Sequence, residues 1–559
     1  MCARDKSIPL SLSMNPIAQN NQVTKSNKVD KRILFLSFQA ILNTFVIGVI
    51  AKLLVYLIEL ITNLSFYGRF SFEPVSPAQN NLGIYVVAIP IIGSLLVGLI
   101  ARFGSQAIRG HGIPEAMERI LSGDSKIPPL ITLLKPLSAA ISIGTGGPFG
   151  AEGPIIATGG AFGSFTGQIM YISASERKIM LSAGACAGMA AIFGSPLAAV
   201  LLAIELLLFE FSARSIIPVT LACVTGAGMH LALFGNEPVF AMGALPTATG
   251  TDLIIYVLIG LVIGVIASLV SKSVYWVEDL FEKLPIHWMW WPAIGAVAVG
   301  VVGYYAPYTM GVGYDNIQNL LTGHLPLAML LSLCFLKYLS WVIALGSGTS
   351  GGTLAPLFTI GGALGALIGM LLLNLFPGIS ITLASAALVG MAAMFAGASR
   401  ALLTSIVFAL ETTGQTTGLL PLLCACIAAY FVSFFLMEGS IMTEKILRRG
   451  VAPPDSYHPD LLVHGQVSEL IKPIVDEDQY PAISEQEGLD VCVQLMGKLK
   501  TDTLLVTDVN DDSIVKGKIT AMDIVSYYYK KKETEEKYNG PARTKRWMIY
   551  TKQAMNFRK

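Results

Sequence analysis

Charged side chains are what this sequence has least of. Only 13% of its 559 residues are Asp, Glu, Lys or Arg, against 53% apolar residues, and mean hydropathy is +0.63. Such a composition excludes an ordinary soluble domain. The few charges also balance, 38 basic against 37 acidic for a net charge of +1, so nothing argues for nucleic acid as a partner. Cysteine is scarce too. The seven are odd in number, lie mostly inside apolar runs and lack metal-ligand spacing, so neither a disulfide framework nor a metal site is expected, and Cys424-Ala-Cys426 reads as packing. No Ser, His and Asp set stands in a recognisable catalytic context, and His230, His287 and His324 are isolated, as at membrane interfaces, so no enzymatic chemistry or cofactor is expected. Before Ile33 the chain carries Arg4, Lys6, Lys25, Lys28, Lys31 and Arg32 but no apolar core of a signal peptide.

Long apolar runs are abundant. Candidate membrane spans are 33–66, 84–103, 179–211, 253–277, 292–306, 326–345, 354–376, 384–410 and 419–437. A spanning helix needs about 20 apolar residues, and several runs are shorter, longer or broken by Gly and Pro, so hydropathy alone yields no span count. Lys445, Arg448 and Arg449 follow the last run. With the basic N-terminal segment 1–32, they put both termini in the cytoplasm by the positive-inside rule and require an even number of crossings.

The chain repeats itself. Residues 144–163, GTGGPFGAEGPIIATGGAFG, return as 346–365, GSGTSGGTLAPLFTIGGALG, at a constant offset of 202 that matches Gly144, Gly146, Pro154, Gly159, Gly160, Ala161 and Gly163. The offset continues to GMAAIF at 188–193 and GMAAMF at 390–395. Two related halves in an apolar chain point to a transporter in which interrupted helices meet at a central site. One difference stands out: Glu152, the only carboxylate in either segment, faces Leu354 in the other copy.

Composition changes at Val451-Ala-Pro-Pro454, which separates a membrane region, 33–450, from a small cytoplasmic α/β module, 451–532, and a charged tail, 533–559. Within the module a helix is expected at 489–499, a strand at 503–507, a turn at Asn510-Asp-Asp512, a strand at 514–519 and a helix at 521–529. The stretch Gly517-Lys-Ile-Thr-Ala-Met-Asp-Ile524 resembles the GxITxxDI ending of CBS motifs, in which the Thr and Asp often contact an adenosine nucleotide. That resemblance would make Thr520 and Asp523 nucleotide contacts. The alternative is a helix start, with Thr520 as cap and Asp523 in the first turn.

Three Gly/Pro-rich breaks flank apolar helices: Arg109-Gly-His-Gly-Ile-Pro-Glu115, Gly150-Ala-Glu-Gly-Pro154 and Gly351-Gly-Thr-Leu-Ala-Pro356. Each can expose backbone N–H groups, and an anion such as a halide is a natural partner for them. Here the chain resembles the CLC chloride channel and transporter family, over about 33–450. GHGIPE resembles that family's GSGIP, GAEGP its GKEGP or GREGP, and GGTLAP its GGxFxP; Phe193-Gly-Ser-Pro-Leu-Ala-Ala and Ile204-Glu205 match as well. The resemblance implies an all-α polytopic membrane fold of inverted repeats with broken helices. It also implies a homodimer with one anion pathway per subunit, in a bilayer that the compact C-terminal module suggests is a bacterial plasma membrane. Glu152 would be the gating glutamate, with the anion held around His111, Gly112, Ile113, Gly150, Ala151, Gly153, Thr353 and Leu354. Met442 would stand where the family has an anion-contacting Tyr, with Thr443 the other candidate.

Four departures follow from the resemblance. Ala151 replaces a Lys or Arg, His111 replaces a Ser, Met442 replaces the Tyr, and Leu206 stands where exchangers carry an internal proton-relaying glutamate. Glu205 should face elsewhere, since adjacent helical residues diverge by about 100°, while Glu210 is one substitute. The expectation is therefore passive, channel-like chloride transport, with a proton-coupled exchanger or an exporter of fluoride or another anion as the alternatives.

Overall fold

The computed structural model describes residues 17–122, 124–376, 378–451, 465–473, 480–509, 511 and 514–539, with 17–30, 122 and 534–539 as backbone only. The chain divides at Pro454/Asp455 into two compact units.

The first unit is helical, and its helices come in two series. The first series is α1 (Ile17–Thr62), α2 (Ala88–Phe103), α3 (Ile113–Ser122), α4 (Ile131–Gly144), α5 (Glu152–Ile169), α6 (Ala174–Phe193), α7 (Pro196–Leu202) and α8 (Ala213–Leu233). The second is α9 (Gly250–Glu282), α10 (Trp291–Tyr305), α11 (Tyr314–Thr322), α12 (Leu327–Leu331) running through a π-turn into α13 (Lys337–Gly346), α14 (Leu354–Leu375), α15 (Leu383–Ser399), α16 (Leu402–Thr413) and α17 (Leu419–Leu436). A short α18 (Glu444–Arg448) follows. The packing repeats with the order. α5 lies on α6 as α14 lies on α15, α6 on α8 as α15 on α17, and α1 on α8 as α9 on α17, while α2 meets α10 and α7 meets α16. This is the inverted-repeat architecture expected from the duplicated sequence. Among the described residues, seven helices are long and apolar enough to cross a membrane.

Much of the repeated glycine serves this packing. A methyl group on Gly163 of α5 would fall 2.1 Å from the Met180 carbonyl of α6, and one on Gly365 of α14 would fall 2.2 Å from the Ala386 carbonyl of α15. Gly159 and Gly361, four residues earlier, are equally crowded, at 2.2 and 2.4 Å. Small residues at this spacing let two backbones approach where lipid gives no hydrophobic drive to associate.

Two apolar runs prove to be two helices each. The run 179–211 breaks at Gly194 and 384–410 at Arg400, both in the left-handed region with φ +61 and 61°. Past these breaks a pair of glutamates ties the halves together. Glu205 takes the N–H groups of Leu403 and Thr404 at 2.8 and 2.9 Å and the Thr404 hydroxyl at 2.6 Å, capping α16. Glu411 takes the N–H groups of Leu197 and Ala198 at 3.0 and 2.8 Å, capping α7. Each carboxylate thus meets free amides and the positive end of a helix from the opposite half. Helices α4, α5 and α8 lie outside the apolar runs picked from the sequence: α4 is short and α5 is rich in Gly, Ser and Thr, whereas α8 is apolar enough to cross a membrane. His230 is not interfacial as expected: it is buried in α8, with Nδ1 3.1 Å from the Ala191 carbonyl and its ring stacked on Phe234.

The second unit has strands β1 (Ala482–Ser484), β2 (Thr503–Thr507) and β3 (Val515–Thr520), with β2 central, parallel to β1 and antiparallel to β3. Helices α19 (Leu489–Leu499) and α20 (Ala521–Asn539) complete it around Leu489, Cys492, Leu504, Val506 and Ile519. Both helix starts and β2 fall where the sequence puts them; the turn expected at 510–512 lies largely outside the described residues.

Replacing Gly163 or Gly365 by Ala should destabilise the membrane unit by about 1–3 kcal/mol through overpacking. Gly160→Ala is the control, because its nearest neighbour atom is a Leu181 methyl at 3.4 Å. Thermal loss of the monodisperse peak in detergent reads the difference; equal midpoints for all three variants would refute the packing argument.

Candidate functional site

The Gly-rich breaks of both halves converge. Gly150 N–H donates to the Gly352 carbonyl at 3.3 Å and Gly352 N–H to that of Gly150 at 3.0 Å, an antiparallel bridge between the segments that open α5 and α14. Gly110 N–H donates to Thr349 O at 2.9 Å and Gly311 N–H to Gly146 O at 3.1 Å, so the loops before α3 and α11 are stitched to the opposite half. Buried lysines at the repeat offset hold these loops from behind. Lys135 Nζ donates to the carbonyls of Ile108 and Gly110, both at 2.8 Å, and Lys337 Nζ to that of Thr309 at 3.0 Å. An ammonium inside an apolar helix is costly unless it has such partners, which makes both lysines part of the site's framework.

Glu152 is the first residue of α5 and is fully buried. Its carboxylate folds back over glycine: a methyl group on Gly150 would fall 1.7 Å from Oε2, and one on Gly352 3.0 Å from the same oxygen. Only glycine leaves that room. Oε1 accepts the Tyr314 hydroxyl at 3.0 Å, whereas Oε2 has no hydrogen-bond partner. The amides of Glu152 itself and of Ala355, in the first turn of α14, also act on the carboxylate. Tyr314 opens α11 and is wedged edge-on against Phe193 and Phe240, with ring centroids at 5.9 and 5.7 Å. Two helix N-termini, each worth about half a positive charge, together offset about one negative charge. That explains how Ala151 can stand where a cation would otherwise be expected.

A cavity opens on either side. One, of about 320 Å³, is lined by Ala151, Tyr314, Glu59, Tyr308 and Asp315. The other, of about 430 Å³, is lined by His111, Arg109, Glu115, Glu278 and Lys445. Between them Gly153 packs so tightly on the loop before α3 that a methyl group there would fall 2.2 Å from the His111 carbonyl.

The structure therefore brings Gly150, Ala151, Glu152, Gly153, His111 and Thr353 together. His111 Nδ1 and Thr353 Oγ1 are buried without hydrogen-bond partners, as donors meant for a ligand would be. Ile113 and Leu354 are the fully buried first residues of α3 and α14, where backbone N–H groups are unclaimed by the helix. Gly112 departs from the expectation. Its N–H donates to Glu115 Oε2 at 2.8 Å, so the amide assigned to an anion is taken by a carboxylate of its own helix. Met442 departs too: it is buried with its N–H 3.2 Å from Ser440 Oγ and lines neither cavity, while Thr443 is bonded to Ser440. Leu206 is buried among apolar residues. Glu210 is part-exposed and 3.8 Å from Lys178. Sequence reasoning missed Tyr314, Lys135 and Lys337. The lysines were signalled by their shared offset of 202, and Tyr314 by Gly311-Val-Gly-Tyr314, which echoes Gly110-His-Gly-Ile113.

In the C-terminal unit, Thr520 and Asp523 cap the start of α20. Thr520 N–H and Oγ1 donate to Asp523 Oδ2 at 3.1 and 2.8 Å, Asp523 N–H donates to Thr520 Oγ1 at 3.3 Å, and Lys472 pairs with Oδ1. Burial pushes the Asp523 carboxyl up, but Lys472 and Thr520 outweigh it and hold it below the usual carboxylate range. The alternative helix-start reading thus accounts for both side chains.

The family model described as "Voltage gated chloride channel" matches residues 92–434. The H(+)/Cl(-) exchange transporter ClcA of Yersinia pestis is 30% identical over 368 residues, covering 63% of this chain and 75% of that protein. A slow cyanobacterial Cl−/H+ antiporter has a similar fold, with TM-score 0.65, 24% identity and coverage of 74% of this chain and 99% of the other. A CLC-type fluoride/proton antiporter does as well, with TM-score 0.57, 24% identity and coverage of 72% and 97%.

Two outcomes are expected. Tyr314→Phe keeps the ring packing but frees Glu152 Oε1 from a charge-assisted bond of about 1.5–3 kcal/mol, so anion flux through reconstituted protein should rise by about tenfold or more; unchanged flux would mean the hydroxyl does not restrain the carboxylate. Asp523, with its carboxyl held low, contributes stability that is present above about pH 4 and lost as pH falls through its folded-state value. Asp523→Asn should lower the melting temperature of the C-terminal unit at neutral pH and shrink its loss on acidification.

Proposed function

We propose, on the premise that this chain belongs to the voltage-gated chloride channel family, that it carries chloride or another small anion across a membrane in exchange for protons. Glu152 is the group whose carboxylate competes with the anion for the same amides and gives way on taking a proton. The observation that carries this reading is the carboxylate itself, buried where two helix N-termini meet, between two cavities, with one oxygen lacking a partner. A desolvated carboxylate is tolerable there only because amides and helix ends are aimed at it. The same amides suit a halide equally well. When Glu152 takes a proton it loses its claim on them, and an anion can replace it, so one site couples the two ions.

His111 and Thr353 are the proposed side-chain donors to the anion, and the first-turn amides of α3, α5 and α14 the backbone donors. Two copies would form a dimer with a complete pathway in each, because both halves of one chain build the site. The membrane is proposed to be a bacterial plasma membrane with both termini cytoplasmic, and the role is transport rather than catalysis. Adenine-nucleotide binding by the C-terminal unit is left out of this reading, since Thr520, Asp523 and Lys472 satisfy one another.

One observation favours the passive reading expected from the sequence: Leu206 cannot relay a proton, and Glu205 is wholly engaged in capping α16. Exchange is preferred because the ClcA relatives, at 28–30% identity, are named as exchangers, while a 27% identical ClcB-like relative is named a putative channel.

Liposomes loaded with chloride and monitored for both chloride and external pH separate the two. Chloride efflux should pull protons inward against their gradient, and Glu152→Gln should abolish that uptake and the pH dependence of efflux while chloride still leaves. Efflux from the unaltered protein with no proton movement would establish passive conduction.

A further inference from the structure

Resting on the exchange reading, we propose that His111 is the proton carrier between the cavity it lines and Glu152. Coupling requires a group that can collect a proton from water and release it next to the Glu152 carboxylate. Three other carboxylates of the membrane unit are engaged elsewhere. Glu205 accepts three hydrogen bonds at the start of α16. Glu115 is fixed by Lys445 Nζ at 2.7 Å and the Gly112 N–H at 2.8 Å. Glu210 lies beside Lys178.

His111 differs from all three. It lines the 430 Å³ cavity, it is only 5% exposed, and its Nδ1 is buried without a hydrogen-bond partner among the described residues. Its backbone packs on Gly153, the residue after Glu152. An imidazole gains and loses a proton near neutrality, and a buried ring nitrogen without a partner is free to do either. The charges facing it are Glu115 on α3, Lys135 on α4 and Lys445 on α18. Arg109 on its own loop and Glu278 on α9 line the same cavity. Glu115 is negative and Lys135 and Lys445 positive, a sum of one positive charge that an anion entering the cavity would offset.

The step balances. A hydronium ion in the cavity gives its proton to the neutral imidazole and becomes water; the imidazolium then gives a proton to the Glu152 carboxylate, which becomes a neutral acid, and the ring is restored. The reverse sequence returns the proton.

The test is proton uptake per chloride in liposomes containing the full chain. His111→Ala should still move chloride, at an altered rate, while the proton-to-chloride ratio falls by about 100-fold. Added imidazole should restore the ratio, which a merely structural histidine would not permit. His111→Gln keeps the size and hydrogen bonding of the side chain but cannot carry a proton, so it should lose the ratio equally and covers the case of an Ala variant that fails to fold. A ratio unchanged in the variants, or lost without rescue by imidazole, overturns the assignment to His111 alone. No proton uptake by the unaltered protein overturns the exchange reading and this one together.

Discussion

A negative charge in the interior of an apolar protein must be met by something, and nearly everything in this structure follows from how that is done. An unpaired carboxylate or halide in a low-dielectric setting is penalised by far more than the few kcal/mol by which proteins are stable. A lysine or arginine would meet the charge but hold it tightly. Helix ends meet it with partial charges spread over several amides, strongly enough to admit an anion and weakly enough to release one. No single helix suffices, so two must be aimed at one point, and a duplicated chain supplies the second.

The duplication explains features that look unrelated when taken singly. The glycines at 159 and 163, and at 361 and 365, bring α5 onto α6 and α14 onto α15 closely enough to fix where the two N-termini point. Lys135 and Lys337 brace the loops that these N-termini face. Glu205 and Glu411 each cap a helix of the other half, which ties α7 to α16. Symmetry ends at the site. Glu152 faces Leu354, His111 has Val312 as its counterpart, and Tyr314 stands where the first half has Ile113. A symmetric frame holds an asymmetric set of side chains, and the chemistry resides in the asymmetry.

How much of this was legible in the sequence depends on what kind of signal each part leaves. The repeat was plain, because its glycines and prolines are constrained by backbone contacts and tolerate little else. Glu152 was plain as the one carboxylate in a glycine-rich apolar segment. The C-terminal helices and central strand were readable from short-range periodicity. Hydropathy failed at α5, which is buried almost throughout, so its neighbours are protein rather than lipid and small and polar residues are tolerated there. It also merged α6 with α7 and α15 with α16, since a left-handed residue breaks a helix without changing its hydrophobicity. Tyr314 was invisible because a tyrosine near an apolar helix has many ordinary explanations, and only the fold brings it 162 residues across the chain to Glu152. Gly112 was misread for a similar reason: a helix amide looks free in sequence until a side chain from the next turn takes it.

The contrast between Glu152 and the other glutamates of the membrane unit carries the last step. Glu205, Glu411 and Glu115 each have both oxygens satisfied, by amides or by an ammonium, and such carboxylates are fixtures. In Glu152, Oε1 accepts the Tyr314 phenol and Oε2 has no hydrogen-bond partner, although the amides of Glu152 and Ala355 also act on the carboxylate. A buried polar atom left open in an otherwise saturated network is a point of stored free energy, and it is relieved in only a few ways: a proton, an ion, or a rotation that takes the group elsewhere. On the proposed exchange reading, protonation of Glu152 would release the amides and an anion would take the place of the carboxylate. The incomplete satisfaction of this side chain, beside the open donors of His111 and Thr353, is what sets the site apart from the carboxylates fixed around it.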